Sequence, residues 1–195
     1  AARSVKEAGT PRKVGSDPRE AGTLPGVSAT TSTIRSAADW QPVGEVRDIR
    51  YETAEGIAKI TICRPEVRNA FRPQTLFELQ DAFNRARDDD RVGVIIFTGE
   101  GDLAFCSGGD QRIRGDDGYL GDDEVAQKGI GRLNVLDLQI QIRRTPKPVI
   151  AMVNGVAVGA GMGMSLRCDM RIASEAARFA TGYGRVGLVP GDGDT

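Results

Sequence analysis

Hydrophobic and polar positions change period several times along the chain, and the first clear pattern begins near Trp40. In DIRYETAEGIAKITIC they alternate on either side of Glu55-Gly56, predicting a two-stranded hairpin. RPEVRNAFRP then breaks the alternation with prolines and charges and reads as a polar loop. From Pro73, QTLFELQDAFNRARDD sets Leu76, Leu79, Phe83 and Ala86 at helical spacing, with the proline in an early turn where a helix tolerates it. VGVIIFTG is a continuous apolar run, the signature of a strand covered on both faces. After the loop RGDDGYLGDDE, LNVLDLQIQIRR predicts a second amphipathic helix stopped by TPKP, and PVIAMVNG predicts another buried strand. GVAVGAGMGMSLRCD opens a helix with small residues, and MRIAS and ARFAT read as short strands. Such alternation predicts an α/β fold with crossover units, although no fixed-period repeat is visible.

Residues 1–38 show no sustained apolar period and cannot bury enough surface to offset their ordering entropy. They read as a disordered or extended tail ahead of one domain over 39–195. Their Ser and Arg content would suit an organellar transit peptide, whereas Glu7, Asp17 and Glu20 are acids that such peptides avoid. A net charge of -1 gives no electrostatic basis for binding nucleic acid or a membrane surface. No apolar run approaches the roughly 18 residues of a membrane span. With no histidine, the commonest general base and metal ligand is missing, so proton transfer falls to carboxylates, Tyr, Lys, water or a bound anion. Cys63, Cys106 and Cys168 lack metal-ligand spacing and sit among apolar residues, predicting buried thiols. These features predict an intracellular protein, in the cytoplasm or an organelle (mitochondrion or plastid), with no metal.

Two glycine-rich turns carry the chemistry: SGGD at 107–110 and GAG at 159–161, placed after VGVIIFTG and PVIAMVNG. Each can bring bare backbone N–H groups to the mouth of a sheet, the second at a helix N-terminus with its positive end. Two converging donors would form an oxyanion hole for a carbonyl oxygen gaining charge. Alternatively the glycines only allow tight turns and close packing. Neither turn is a phosphate loop, since no G-x-x-x-x-G-K-[ST] is present.

CRPEVRNAF, AFCSGGD, KPVIAMVNGVAVGAGMGMSLRCDMRIAS and VGLVPG, in that order, resemble the crotonase (enoyl-CoA hydratase/isomerase) superfamily from about residue 45 to the last. In the front half, CSGGDQRIRGDDGY and LNVLDLQIQIRRTPKPV are similar to its naphthoate synthase branch. The resemblance implies stacked ββα units with an incomplete C-terminal helical region. It also implies a homo-oligomer, a trimer or a dimer of trimers, or else a subunit of a hetero-assembly. It implies an acyl-CoA thioester as substrate, with no covalently bound cofactor, its carbonyl held by the amides of Gly109 and Ala160. Arg68 then meets the CoA portion, Ser107, Gly108, Asp110 and Gln111 line the thioester loop with Val158 and Gly159 opposite, and Tyr119 borders the acyl pocket. Arg68 as a solvated loop charge and Tyr119 as a packing residue are the plainer alternatives.

The chemistry implied is an intramolecular Claisen condensation of o-succinylbenzoyl-CoA to 1,4-dihydroxy-2-naphthoyl-CoA. The back half departs from it. Gly163 and Tyr183 stand where hydratases carry their two glutamates, and the Tyr183 ring would fill the space of a bicarbonate base, making bicarbonate an unsuitable cofactor. Leu188 and Pro190 replace the synthase Ser and Asp. Asp192 is the one nearby carboxylate for proton transfer, although an aspartate between glycines also serves simply to stabilise a turn. Three functions are consistent with this pattern: a naphthoate synthase, an enoyl-CoA hydratase/isomerase of other specificity, or a catalytically degenerate member serving as a structural subunit.

Overall fold

The computed structural model of the chain describes residues 38–113, 135–185 and 187. The chain divides after Ser36, and everything described belongs to the second unit. The elements are β1 (Gln41–Pro42), β2 (Ile49–Ala54), β3 (Ile57–Ile62), α1 (Pro73–Asp88), β4 (Val94–Gly99), β5 (Ala104–Cys106), α2 (Val135–Arg144), β6 (Val149–Val153), β7 (Val156–Val158), α3 (Ala160–Arg167), β8 (Met170–Ala173) and β9 (Arg178–Ala180). Short 3-10 turns occupy Pro65–Val67 and Tyr183–Arg185. Asp192, Leu188, Pro190 and Tyr119 lie outside the described residues.

The hairpin forms as its alternation predicts. β2 and β3 pair antiparallel from Ile49 opposite Ile62 to Ala54 opposite Ile57. Glu55 and Gly56 both take positive φ, 48° and 81°, the turn whose twist matches that of paired strands. From β3 onward the pairing is parallel, giving a six-stranded sheet in the order β1-β2-β3-β4-β6-β8. A second sheet, β5-β7-β9, is parallel throughout. Each strand of the large sheet from β4 onward is therefore followed by a short strand of the small one. The units β4-β5-α2 and β6-β7-α3, then β8-β9, are the stacked ββα units of the predicted α/β fold. Their first strands begin at Val94, Val149 and Met170, so uneven loops hide the repeat from any fixed-period reading.

Between the layers, Phe97 of β4 stands edge-on to Phe83 of α1 at 5.5 Å and to Phe105 of β5 at 5.0 Å. All three rings are fully buried, so this column joins the helix and both sheets. β4 and β6 differ from the prediction of burial on both faces. Ile95 and Phe97 are fully buried while Val94 and Ile96 are only half-buried, and Met152 of β6 is 41% exposed. Met152 pairs with Ile172 of the edge strand β8, itself 63% exposed, and Met170 lies on the same face. Cover is thus one-sided toward this end of the sheet.

Cys106 and Cys168 are buried as predicted, and burial pushes both thiols up to about 12. Cys63 departs from that expectation, being only half-buried beside Glu100. Among the described residues, no helix is long and apolar enough to cross a membrane.

Candidate functional site

The glycine turns follow the short strands of the small sheet rather than β4 and β6. Two asparagines build the step from one sheet to the other. Asn154 accepts from the Gly99 N–H at 3.3 Å, and its Nδ2 donates to the carbonyls of Gly99, Gly101 and Ala104 at 2.9, 2.6 and 3.0 Å. Asn69, fully buried at φ 55°, donates to the carbonyls of Glu100 and Ala104 at 3.0 and 2.7 Å. Its Oδ1 accepts from the Arg64 N–H at 3.0 Å. No other residue supplies a short acceptor-and-donor side chain while tolerating this backbone so well. Asn69→Ala strands buried groups at each end and is expected to lower stability by about 3 kcal/mol, read from the urea midpoint.

The segment predicted as a polar loop is buried for much of its length: Arg64, Asn69, Ala70 and Phe71 are all in the interior. The spacing of prolines and charges gave no sign of this, because Arg64 and Asn69 are buried through polar partners elsewhere in the chain and Ala70 and Phe71 form no periodic apolar face. Asp48 receives a two-pronged hydrogen bond from Arg72 at 2.7 and 2.8 Å and one from the Thr75 hydroxyl at 2.6 Å. Asp110, 3% exposed, receives Arg64 at 3.0 Å and Arg112 at 2.9 Å. Glu78 of α1 accepts from the backbone N–H groups of Arg47, Asp48 and Ile49.

Burial opposes charge on Asp48, but the Arg72 and Thr75 hydrogen bonds and the Arg72 and Arg64 charges outweigh it and hold the carboxyl below its ordinary value. Arg112 foremost, with its backbone N–H and then Arg64, holds Asp110 down to about 2 against the upward push of burial. The stability these groups supply is complete above the unfolded value of 3.8 and is lost as pH falls through the lower folded values. In a pH series of urea midpoints, Asp110→Asn is expected to flatten the fall below about pH 4.

The two glycine turns lie side by side. β5 and β7 pair in parallel, with Ala104 opposite Val156 and Cys106 opposite Ala157. Gly108, at φ 97°, would set a Cβ 3.2 Å from the Val158 carbonyl oxygen. A Cβ on Gly161 would overlap the Cys106 carbonyl, so the start of α3 rests directly on the end of β5. Gly159, at φ 53°, precedes the helix and donates to the Ala180 carbonyl at 2.9 Å.

Amide directions follow from these bonds, since in a planar trans peptide C=O and N–H point oppositely and no cis bond occurs. The Gly108 carbonyl accepts from the Phe71 N–H at 2.9 Å, beside a parallel bridge between Phe71 and Gly109. The Gly109 N–H, in the same peptide, therefore points away from Phe71. The Gly159 carbonyl accepts from the Gly163 N–H at 3.0 Å, the first bond of α3. The Ala160 N–H in the same peptide therefore points out of the helix N-terminus, where first-turn amides have no partner within the helix.

The other predicted residues gather around these turns in different ways. Ser107 is fixed by its N–H to the Arg68 carbonyl at 3.1 Å and its hydroxyl to the Val67 carbonyl at 3.2 Å. Arg68 is exposed in a left-handed conformation next to it. Gln111 is exposed and donates to the Gly109 carbonyl at 3.0 Å. Asp110 lies in the predicted loop, with its carboxylate paired to Arg64 and Arg112. Tyr183 is 7% exposed, with ring carbons 3.7 and 3.9 Å from where a Gly159 Cβ would stand, so its ring flanks the second turn. Asn69, Asn154, Arg64 and Asp48 were not singled out from sequence; polar side chains bonded to main chain have no periodicity to reveal them.

Residues 52–195 match the family model for enoyl-CoA hydratase/isomerase. Similar solved structures include one described as an enoyl-CoA hydratase/isomerase (crotonase) from Legionella pneumophila, 31% identical with a TM-score of 0.66, covering 77% of this chain and 56% of that one. The enoyl-CoA hydratase of Bacillus anthracis is 30% identical, with a TM-score of 0.64 and coverage of 75% and 55%. That of Polaromonas sp. JS666 is 35% identical, with a TM-score of 0.63 and coverage of 74% and 55%. The chain thus spans a little over half the length of these relatives. Its two-sheet fold, its paired glycine turns and this match over most of its length agree: the chain belongs to the enoyl-CoA hydratase/isomerase (crotonase) family.

Proposed function

We propose that the chain binds an acyl-CoA thioester and polarises its carbonyl between the amides of Gly109 and Ala160. What supports this reading is the pair of peptide planes: the Gly108 and Gly159 carbonyls are engaged by Phe71 and Gly163, which turns the Gly109 N–H away from Phe71 and the Ala160 N–H out of the helix N-terminus, beside neighbouring turns. A thioester oxygen placed there accepts two hydrogen bonds that shorten as it gains charge. Loss of a proton alpha to that carbonyl then leaves its electron pair delocalised onto the oxygen, where both dipoles favour it. Because the amides are part of folded backbone, no reorganisation accompanies the step.

The front-half likeness to naphthoate synthases makes o-succinylbenzoyl-CoA the first thioester to test. The hydratase relatives make crotonyl-CoA the second. The site's own departures bear on which reaction follows. Tyr183 brings a phenol beside Gly159 where hydratases carry a glutamate, and Gly163 supplies no side chain, so a hydratase-type pair of carboxylates is missing. This counts against water addition, and because the same tyrosine stands in the space of the base a Claisen step would use, a binding role fits the site best.

Calorimetric titration with o-succinylbenzoyl-CoA, crotonyl-CoA and free coenzyme A, followed by product analysis, tests the reading. Saturable binding of a thioester, tighter than that of free coenzyme A, is expected. Equal affinity for coenzyme A and both thioesters, or no binding of any, contradicts it. Binding of o-succinylbenzoyl-CoA without ring closure would identify a family member that retains the thioester site but not the reaction.

A further inference from the structure

Two consecutive glycines at 108 and 109 form a poor support for an amide that must point accurately. Each removes a Cβ and widens the accessible φ/ψ range, so the peptide joining them holds its direction only if both flanks are fixed. On the N-terminal flank this is achieved by Ser107, bonded through N–H and hydroxyl to Arg68 and Val67. Gly108 itself is held through its carbonyl by Phe71.

On the C-terminal flank the fixing is ionic. The Asp110 N–H donates to the Phe71 carbonyl at 2.9 Å, and its carboxylate lies between Arg64 and Arg112. Arg64 is itself tied to the segment that leads into Phe71: its N–H donates to Asn69 and its guanidinium to the Ala70 carbonyl. The Asp110 carboxylate therefore closes a ring through Arg64, Ala70, Phe71 and the glycine pair. Asp48, 3.8 Å from Arg64, connects that ring to Arg72 at the start of α1.

We propose that Asp110 is a positioning residue for the oxyanion amide of Gly109, its carboxylate clamped by Arg64 and Arg112 so that the glycine peptide keeps its N–H turned away from Phe71. This rests on the thioester reading above and adds a second layer to it. A buried carboxylate bonded to two guanidinium groups has few alternative arrangements, because moving it leaves Arg64 in the interior with only the more distant Asp48 carboxylate at 3.8 Å. Active-site donors tolerate errors of only about 0.5 Å and 10–20°, so loosening this clamp affects the amide before it affects the fold.

The test uses butyryl-CoA isotopically labelled at its carbonyl carbon, bound at saturation, with the thioester carbonyl stretch read by infrared difference spectroscopy. Working at saturation separates polarisation from affinity. The wild-type chain is expected to lower the stretch relative to free butyryl-CoA, and Asp110→Asn to lose most of that shift. Arg112→Ala removes the outer half of the clamp at a side chain 64% exposed, so the fold survives even where Asp110→Asn does not. It is expected to lose part of the shift. A residue of purely structural importance would lower the unfolding midpoint and leave the shift of the folded, saturated protein intact. Full retention of the shift in Arg112→Ala and in folded Asp110→Asn overturns the positioning role while leaving the thioester reading in place. A wild-type chain that binds butyryl-CoA with no shift overturns both.

Discussion

Ala160→Pro is expected to abolish one half of the carbonyl polarisation while leaving α3 in place. Proline is at home in the first helical position, where its fixed φ suits the helix and the missing N–H has no partner within the helix in any case. Ala160 occupies that position, directly after the N-cap Gly159. The substitution therefore removes the single atom group under test and replaces it with a methylene. The infrared shift of bound butyryl-CoA should fall by a large fraction. With whichever thioester the chain turns over, the rate should fall by about a hundred- to a thousandfold, the usual effect of losing one oxyanion donor. Far-ultraviolet circular dichroism and the urea midpoint check that the helix survives. An unchanged shift in a folded Ala160→Pro protein would show that this amide does not face the carbonyl.

The second large effect is expected at Gly161. Here φ is not the issue; space is. An added Cβ would overlap the backbone carbonyl of Cys106 and lie 2.9 Å from the Cys106 carbonyl carbon and Cβ. Backbone cannot swing aside as the end of a flexible side chain can, so α3 would have to lift from β5. Gly161→Ala is expected to lower stability by about 2–3 kcal/mol, since overpacked interiors relax only in part. In a unit of this size that is a drop of roughly 5–10 °C in Tm. It should also weaken thioester binding, because lifting the helix start moves Ala160 away from Gly109. Gly184 serves as the control: among the described residues nothing lies within 4 Å of its Cβ position, so Gly184→Ala should leave stability within about 0.5–1 kcal/mol of wild type.

The sequence made the hairpin, both amphipathic helices and the α/β class legible, because each rests on a periodic apolar face or on a turn dipeptide with its own backbone chemistry. Glu55-Gly56 is such a dipeptide, and Leu76, Leu79 and Phe83 form such a face. The small sheet was not legible as a separate layer. β5 and β7 are three residues each, too short for alternation to register; β5 stood only as the lead-in to SGGD, and β7 fell inside the stretch read as opening a helix. The interior polar network was equally hidden. Nothing in RPEVRNAFRP distinguishes Arg64, buried against Asp110, from Arg68, exposed four residues later. The difference is made chiefly by Asp110, a partner forty-six residues away. The glycine turns stood out because a bare backbone is itself a signal, whereas the groups that aim those turns are ordinary residues with extraordinary neighbours.

A ketone analogue of butyryl-CoA, with a methylene in place of the thioester sulfur, would place a stable carbonyl in the site for crystallography. The account predicts that its oxygen lies roughly 2.7–3.1 Å from both the Gly109 and the Ala160 nitrogens, with each N–H directed at it. An oxygen bound elsewhere in the chain, or in contact with only one of the two amides while the other points into protein, would contradict it.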